Sequence, residues 1–477
     1  MTEPPDGGWQ RLHPLTPLVR GWKVVAVVLA LMAQQSGDQL IGRRMWSRQE
    51  ALIALAVLVG AAIVGGGYAV LAWHRSAYRV DADSLQLHQG VLFRQQRQAR
   101  LDRLQAVDVV RPLLARFFGL AVLKVDVAGG DHSSIQLALL REEDAQRLRN
   151  TLLARAAGVS YEGELAPEAP ERQVLTVSVG RTVESFVRTI PMLVALLVVV
   201  ACVVAVAVTR QAGVIVGLFP VLIGTGSAVW ARFTSAFGFR VATSPDGIRL
   251  HHGLLTTRAQ TVPPGRVQAV RLRQPLLWRP RDWWKLEVNV AGYSGGGSRR
   301  SNDVGADDAA QENVLLTVGT REEALHVLRL ALPRFAGDDP SGEVAAALAA
   351  GLTGVGGDDG YFCSPRSARW LDPIGWRRHG VRVLDDVLLL RRGVIARELD
   401  VVPHARTQSL GVRQGPLQRR LGLAGFVVHS TRGPIAPTVD HLPTEVAGQL
   451  LEQQSARARA ARAAAGDADQ GRWLERS

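Results

Sequence analysis

One pattern is written three times along this chain, and it limits the available folds more than any other feature. It runs Gly90…Arg103-Leu104-Gln105…Arg116, then Gly253…Arg266-Val267-Gln268…Arg279, then Gly393…Arg406-Thr407-Gln408…Arg419. In every copy the steps are 13 residues from Gly to Arg, 2 to Gln and 11 to the second Arg. The period is far above that of a solenoid, so each copy reads as a small domain. Around each copy, alternating apolar and polar runs such as 78–88 and 122–127 read as half-buried strands. Turn chemistry sits at Asp83-Ser84, Asp246-Gly247 and Asp386-Val387, and Gly129-Gly130 reads as a hairpin turn. Each copy then closes with one helical stretch. The first has acids at Glu142, Glu143 and Asp144, where the helix dipole favours them. The second opens on a capping-box pattern, Thr320 to Glu323, and the third follows Pro443-Thr444-Glu445. The expected unit is a run of about seven antiparallel strands and one C-terminal helix.

Long apolar stretches interrupt the repeats. Residues 51–73 are apolar throughout, with Tyr68 and Trp73 at one end as interfacial rings would be. Residues 189–209 carry no charge, and 212–231 follow after only Arg210 and Gln211, so the two read as a helical hairpin. Gly213 and Gly217 lie four apart, which lets a neighbouring helix approach closely. Residues 19–40 span a membrane only by taking Lys23 and Asp38 with them, and a re-entrant or interfacial helix is the rival reading. Arg181, Arg188, Arg232 and Arg240 flank the hairpin, against Arg210 at its tip. The flanks and all three repeats are therefore expected on the cytoplasmic side of a cell membrane; Arg43, Arg44 and Arg48 fit that scheme poorly. The expected division is tail and transmembrane hairpin 1–76, first domain 77–157, linker 158–185, transmembrane hairpin 186–234, second domain 239–335 with a flexible insertion at 293–313, linker 336–368, third domain 369–454 and basic tail 455–477. Solvated disorder is favoured for the tail over a helix on the membrane surface.

The net charge is +13, carried almost entirely by arginine. Arginine suits phosphate and lipid headgroups, but its dispersal here is better explained by a coding bias that writes Arg wherever a surface cation serves. The two cysteines, Cys202 in an apolar run and Cys363 in a linker, exclude a disulfide framework and any CxxC metal site. Patterns of metalloprotease, serine-hydrolase and nucleotide-phosphate sites are missing. The three sound apolar stretches hold no ionisable residue, which argues against a proton- or ion-coupled transporter. No cofactor, metal or nucleic acid is expected.

The stretch Leu371-Asp372-Pro373, Leu390 to Gly393, Val402 to Leu410 and Gln414 to Ala424 resembles the last domain of multi-copy members of the bacterial membrane-flanked PH-like family. The resemblance covers about residues 40–455. It implies an α+β chain of three PH-like split β-barrels, each closed by a C-terminal helix, joined to two transmembrane helical hairpins in the cytoplasmic membrane. It implies no activity. Multi-copy members often carry a further hydrophobic pair before the last domain, and 336–370 offers none.

Two readings of the repeated residues stay open. Arg103/Gln105, Arg266/Gln268 and Arg406/Gln408, taken as i and i+2 on a strand, share one face. The favoured reading is structural, with the pair bridging to a neighbouring hairpin, because identical residues recur in domains whose orientation to a membrane must differ. The alternative is a polar face for headgroups or a peptide. Arg116, Arg279 and Arg419 stand beside Phe117-Phe118, Trp278 with Trp283-Trp284, and Leu417 with Leu421, a combination that suits a membrane interface as well as a core edge. The expected function is a non-enzymatic membrane protein whose PH-like domains dock partners or contact anionic lipids. The alternative is a subunit of an envelope transport or stress-protection complex with a membrane-protein partner.

Overall fold

The alternating stretches fold as antiparallel strands and the closing stretches as helices. The computed structural model describes residues 8–11, 13–14, 48–81, 84–89, 95–101, 104–127, 134–156, 171–209, 213–244, 247–291, 313–336, 342–357, 360–431 and 433–474. The 19–40 apolar stretch, Gly90, Arg103, the Gly129-Gly130 turn, residues 158–170 of the 158–185 linker and the body of the 293–313 insertion lie outside the described residues.

In chain order, β1 (Gln10–Arg11) and helix α1 (Arg48–His74) precede β2 (Ala77–Val80), β3 (Ser84–Gln89), β4 (Gln95–Arg100), β5 (Leu104–Pro112), the short helix α2 (Leu113–Phe117), β6 (Leu120–Val127), β7 (Ser134–Arg141) and α3 (Glu142–Ala156). Next come β8 (Arg172–Thr176), α4 (Val179–Val187), α5 (Ile190–Thr209) and α6 (Gly213–Ala236). The second repeat is β9 (Arg240–Ser244), β10 (Gly247–His252), β11 (Thr256–Val262), β12 (Val267–Pro275), β13 (Trp283–Val290), β14 (Val314–Thr320) and α7 (Arg321–Ala331). After α8 (Pro333–Ala336), α9 (Glu343–Thr353) and β15 (Phe362–Cys363), the third is β16 (Gly380–Val383), β17 (Val387–Arg392), β18 (Ala396–Pro403), β19 (Ser409–Arg413), α10 (Pro416–Arg420), β20 (Leu423–His429), β21 (Thr438–Pro443) and α11 (Thr444–Leu474).

The chain divides into two compact units. The first holds residues 1–168, 190–237 and 252–260. In it β1, β2, β3 and β4 form one sheet, and β7, β6 and β5 lie in another, where β5 also pairs with β11. Leu85, Leu87, Leu123, Val125, Leu137 and Leu152 bury completely or nearly so in its core, with α3 laid across β5 and β6. Helices α5 and α6 lie against each other. Along α5, Leu197 and Val208 are 67% and 77% exposed. Among the described residues no single helix is long and apolar enough to cross a membrane, although Val179–Val187 and Ile190–Ala205 pass together as a broken pair.

The second unit holds residues 169–189, 238–251 and 261–477. Its largest sheet has the order β14-β13-β12-β18-β17-β16-β15. Strands β8, β9 and β10 pair in sequence, as do β19, β20 and β21. Leu388, Leu390, Val402, Phe426 and Leu442 share a core under α11. Burial of each such side chain contributes about 1.5–3 kcal/mol. The capping box forms as expected: Thr320 Oγ1 accepts from Glu323 N–H at 3.3 Å, and Glu323 Oε2 accepts from Thr320 N–H at 2.8 Å.

Three features differ from the sequence reading. Each repeat has six strands among the described residues, and a further short strand comes from the preceding stretch: β1 pairs with β2, β8 with β9 and β15 with β16. The linkers 158–185 and 336–368 are thus partly ordered, contributing β8, most of α4, α9 and β15. The basic tail continues α11 to Leu474, because its Ala-rich sequence with long Arg side chains has high helix propensity.

Candidate functional site

The repeated glycine is a turn residue. Gly253 and Gly393 follow β10 and β17 with φ of +107° and +77°. A Cβ there would come within 1.9 Å of Thr256 O and 2.1 Å of Ala396 O, so the turn into the third strand admits only glycine.

In the second and third copies Arg-x-Gln does not lie along one strand. Arg266 ends a 3-10 turn (Pro264–Arg266) and Gln268 lies within β12. Arg406 likewise ends the turn His404–Arg406, and Gln408 falls just before β19. Prolines at 263, 264 and 403 cause this, since they fix φ and remove ladder donors at the step from third to fourth strand. In the second and third copies the two residues therefore do not share one strand face. Around the motif the main chain bridges to the next hairpin: Ala291 N–H donates to Arg266 O at 2.8 Å, and Gln408 N–H donates to His429 O at 3.1 Å. Gln268 is buried and its Nε2 donates to Arg266 O at 3.3 Å. Gln408 is exposed and Arg406 half-buried. Gln105 lies in β5; its side chain, like Arg103, is outside the described residues.

The second Arg sits on the short helix after the fourth strand. Pro112 and Pro275 end their strands with nearly the same dihedrals, φ −59° with ψ 149° and 152°, and start that turn. Arg116 Nη1 donates to Thr257 Oγ1 at 3.4 Å. Arg279 Nη2 donates to Val394 O. Both acceptors lie at the turn into the third strand of the following repeat. Burial, with Arg397 nearby, lowers the Arg279 pKa from its ordinary value. Arg419, on α10, is exposed. The apolar neighbours divide the same way. Trp278, Trp283 and Trp284 are buried, with Trp278 Nε1 donating to Ser185 O at 2.9 Å, whereas Phe117 is 89% exposed and Leu113, Phe118 and Leu417 are exposed.

These contacts belong to two seams between repeats with one register. In the first unit β5 meets β11 with Pro112 opposite Thr256 and Val109 opposite Ala259. In the second unit β12 meets β18 with Pro275 opposite Ala396 and Val270 opposite Val401. Counted from the motif residues, the two registers are identical. The second seam is charged inside: Arg271 grips the fully buried Asp400 through Nε at 2.6 Å and Nη2 at 2.9 Å, with Glu398 3.8 Å away. Burial pushes the Asp400 carboxyl up, and the guanidinium fork opposes that shift. Asn289 of β13 adds a clasp, donating to Ile435 O at 2.7 Å and accepting from Ile435 N–H at 3.1 Å. No sequence signal marked Arg271, Asp400 or Asn289, because each looks like an ordinary polar strand residue.

A second polar cluster surrounds the C-terminus of α9. Arg378 donates to Gly351 O, Leu352 O and Gly354 O at 2.8–2.9 Å, and Arg391 to Ala350 O at 2.9 Å and Gly356 O at 2.6 Å. Tyr361 stacks on Arg391 at 4.4 Å. Two cations on the free carbonyls of a helix end oppose its dipole charge. Burial, with Arg391 beside it, brings the Arg378 pKa down to about 9. The cluster caps a helix and presents no nucleophile–base pair. His379 meets Asp372 at 3.1 Å and Asp440 O at 3.2 Å. His404 Nε2 donates to Leu384 O at 2.8 Å, and its Nδ1 lies 2.8 Å from Gln454 Nε2, an arrangement that suits the neutral ring. Burial holds both histidines below their ordinary pKa. Among the described residues no three His, Cys, Asp or Glu side chains are grouped to hold a metal ion.

The profile of the bacterial PH domain matches residues 24–156, 186–329 and 314–458. The UPF0699 transmembrane protein YdbT of Bacillus subtilis (strain 168) is 21% identical over 296 residues, covering 56% of this chain and 58% of that protein. The matched part is thus under two thirds of that relative's length. No solved structure matches the chain. Three profile matches over most of the sequence, on three repeats of antiparallel strands closed by a helix, show that the chain belongs to the bacterial PH domain family.

Proposed function

We propose that the chain is a non-enzymatic protein of the bacterial cytoplasmic membrane. In this reading α5 and α6 cross the bilayer as a hairpin, α1 belongs to a second one, and three PH-like split barrels stand on the cytoplasmic side as a docking or lipid-contact platform. The observation that carries it is the apolar surface of α5, where Leu193, Val194, Leu196, Leu197, Val203 and Val208 are all exposed. In water such a surface is a liability, and in hydrocarbon it is the ordinary outside of a span. The name of the Bacillus subtilis relative, a transmembrane protein, supports the same reading.

Lipid contact is assigned to the short helices after the fourth strands. Arg116 with Leu113 and Phe117, and Arg419 with Leu417, pair a cation with exposed apolar groups. Each cation near an anionic leaflet contributes about 1 kcal/mol. Arg116 and Arg279 are engaged by Thr257 Oγ1 and Val394 O, so their share is smaller than that of Arg419. The test is hydrogen exchange of the full chain in vesicles of phosphatidylcholine alone and in vesicles containing phosphatidylglycerol. Slower exchange at 113–118 and 416–420 with the anionic lipid is expected. Equal exchange in both vesicles contradicts the lipid-contact role.

A further inference from the structure

Two repeat-to-repeat seams share one register, and each joins the fourth strand of one repeat to the third strand of the next. Two strands of the same kinds are paired on one edge only among the described residues. β19, the fourth strand of the third repeat, pairs with β20. β4, the third strand of the first repeat, pairs with β3. Both present exposed side chains: Ser409, Val412 and Arg413 on β19, and Gln95, Gln96, Gln98 and Arg100 on β4. An open edge offers unpaired N–H and C=O groups to any strand of matching register.

We propose that β19 of one chain pairs antiparallel with β4 of a second copy of this chain, head to tail, repeating the seam already built twice within each chain. The occupant follows from the match between the two open ends. Carrying the shared register over by the motif spacing puts Leu410 opposite Gln98, Gly411 opposite Arg97, Val412 opposite Gln96 and Arg413 opposite Gln95. No two arginines fall directly opposite. Asp108 and Arg271 occupy this place in the existing seams, and the third repeat has Gly411, which sets no charged side chain of its own opposite Arg97. Arg419, placed like the seam residues Arg116 and Arg279, is exposed beside the open edge. The contact is heterologous, so it forms a ring or an open row and not a two-fold pair. This inference is independent of lipid contact.

The test uses full-length chains with Cys202→Ala and Cys363→Ala, co-expressed with two different tags. One chain carries Val412→Cys and the other Gln96→Cys. Oxidation is expected to give a disulfide-linked band bearing both tags, several-fold stronger than the off-register pair Val412→Cys with Arg100→Cys. Val412, Gln96 and Arg100 are all exposed, so these substitutions disturb no core packing. Absence of the mixed band, equal yields from both pairs, or capture by Val412→Cys of a different protein in place of this chain each overturns the proposal. Arg413→Cys with Gln95→Cys, both exposed, gives a second reading of the same register.

Discussion

Asp400 has no exposed surface, and its carboxylate takes both arms of the Arg271 guanidinium across the seam between β12 and β18. Removing one partner of such a pair strands a buried charge, at a cost of about 3–5 kcal/mol. Asp400→Ala is therefore expected to lower stability by that amount in chemical denaturation of the second unit's transition. Arg271→Met with Asp400→Leu together is expected to recover much of it, since a packed apolar pair carries no desolvation cost. Equal losses in the single and double variants would mean that the pair is not the source. The repeated glycine was legible as a fixed residue, and the structure supplies its reason, a left-handed turn closed against a carbonyl. Arg271 and Asp400 were not legible, because alternation along a strand says which face a residue is on and not which strand lies opposite.

At the scale of elements, the three closing helices were visible from their caps and apolar spacing, and the strands from their alternation. The added strands β8 and β15 and the helix α9 were not. Their stretches are short and flanked by Gly, Pro and acids, which is linker composition, and they gain order only from the sheet and the arginines that receive them. Helix α11 is held at its middle by Gln454 on His404 and by Arg462 Nη1 donating to Thr407 O at 3.5 Å. Burial lowers the His404 pKa from 6.5, and His379 shifts in the same direction for the same reason. The unfolded chain thus binds more protons than the folded one just below pH 6.5, so stability rises with pH there. The contribution is complete above that value and is lost as pH falls through the lowered folded values. The protection factors of the amides along 444–462, taken relative to the intrinsic exchange rate at each pH, are expected to fall on acidification below this point, and His404→Gln is expected to flatten the change. A wild-type profile independent of pH across that window would rule the coupling out.

At the scale of the whole molecule, the chain is a bacterial PH domain protein in which the same small unit is used three times and stitched edge to edge. The motif that marks the repeat is mostly the hardware of that stitching: a glycine at the receiving turn, a turn-and-strand step at Arg-x-Gln, and an arginine that reaches the next unit in two copies. What this assembly is for depends on where it stands, and the apolar outside of α5 is the strongest sign. The most direct measurement is extraction of membranes from cells expressing the full chain with alkaline carbonate, which strips proteins held by surface contacts. A chain anchored by α5 and α6 is expected to stay wholly in the membrane pellet and to leave it only with detergent. Release of the chain into the carbonate supernatant would contradict the account.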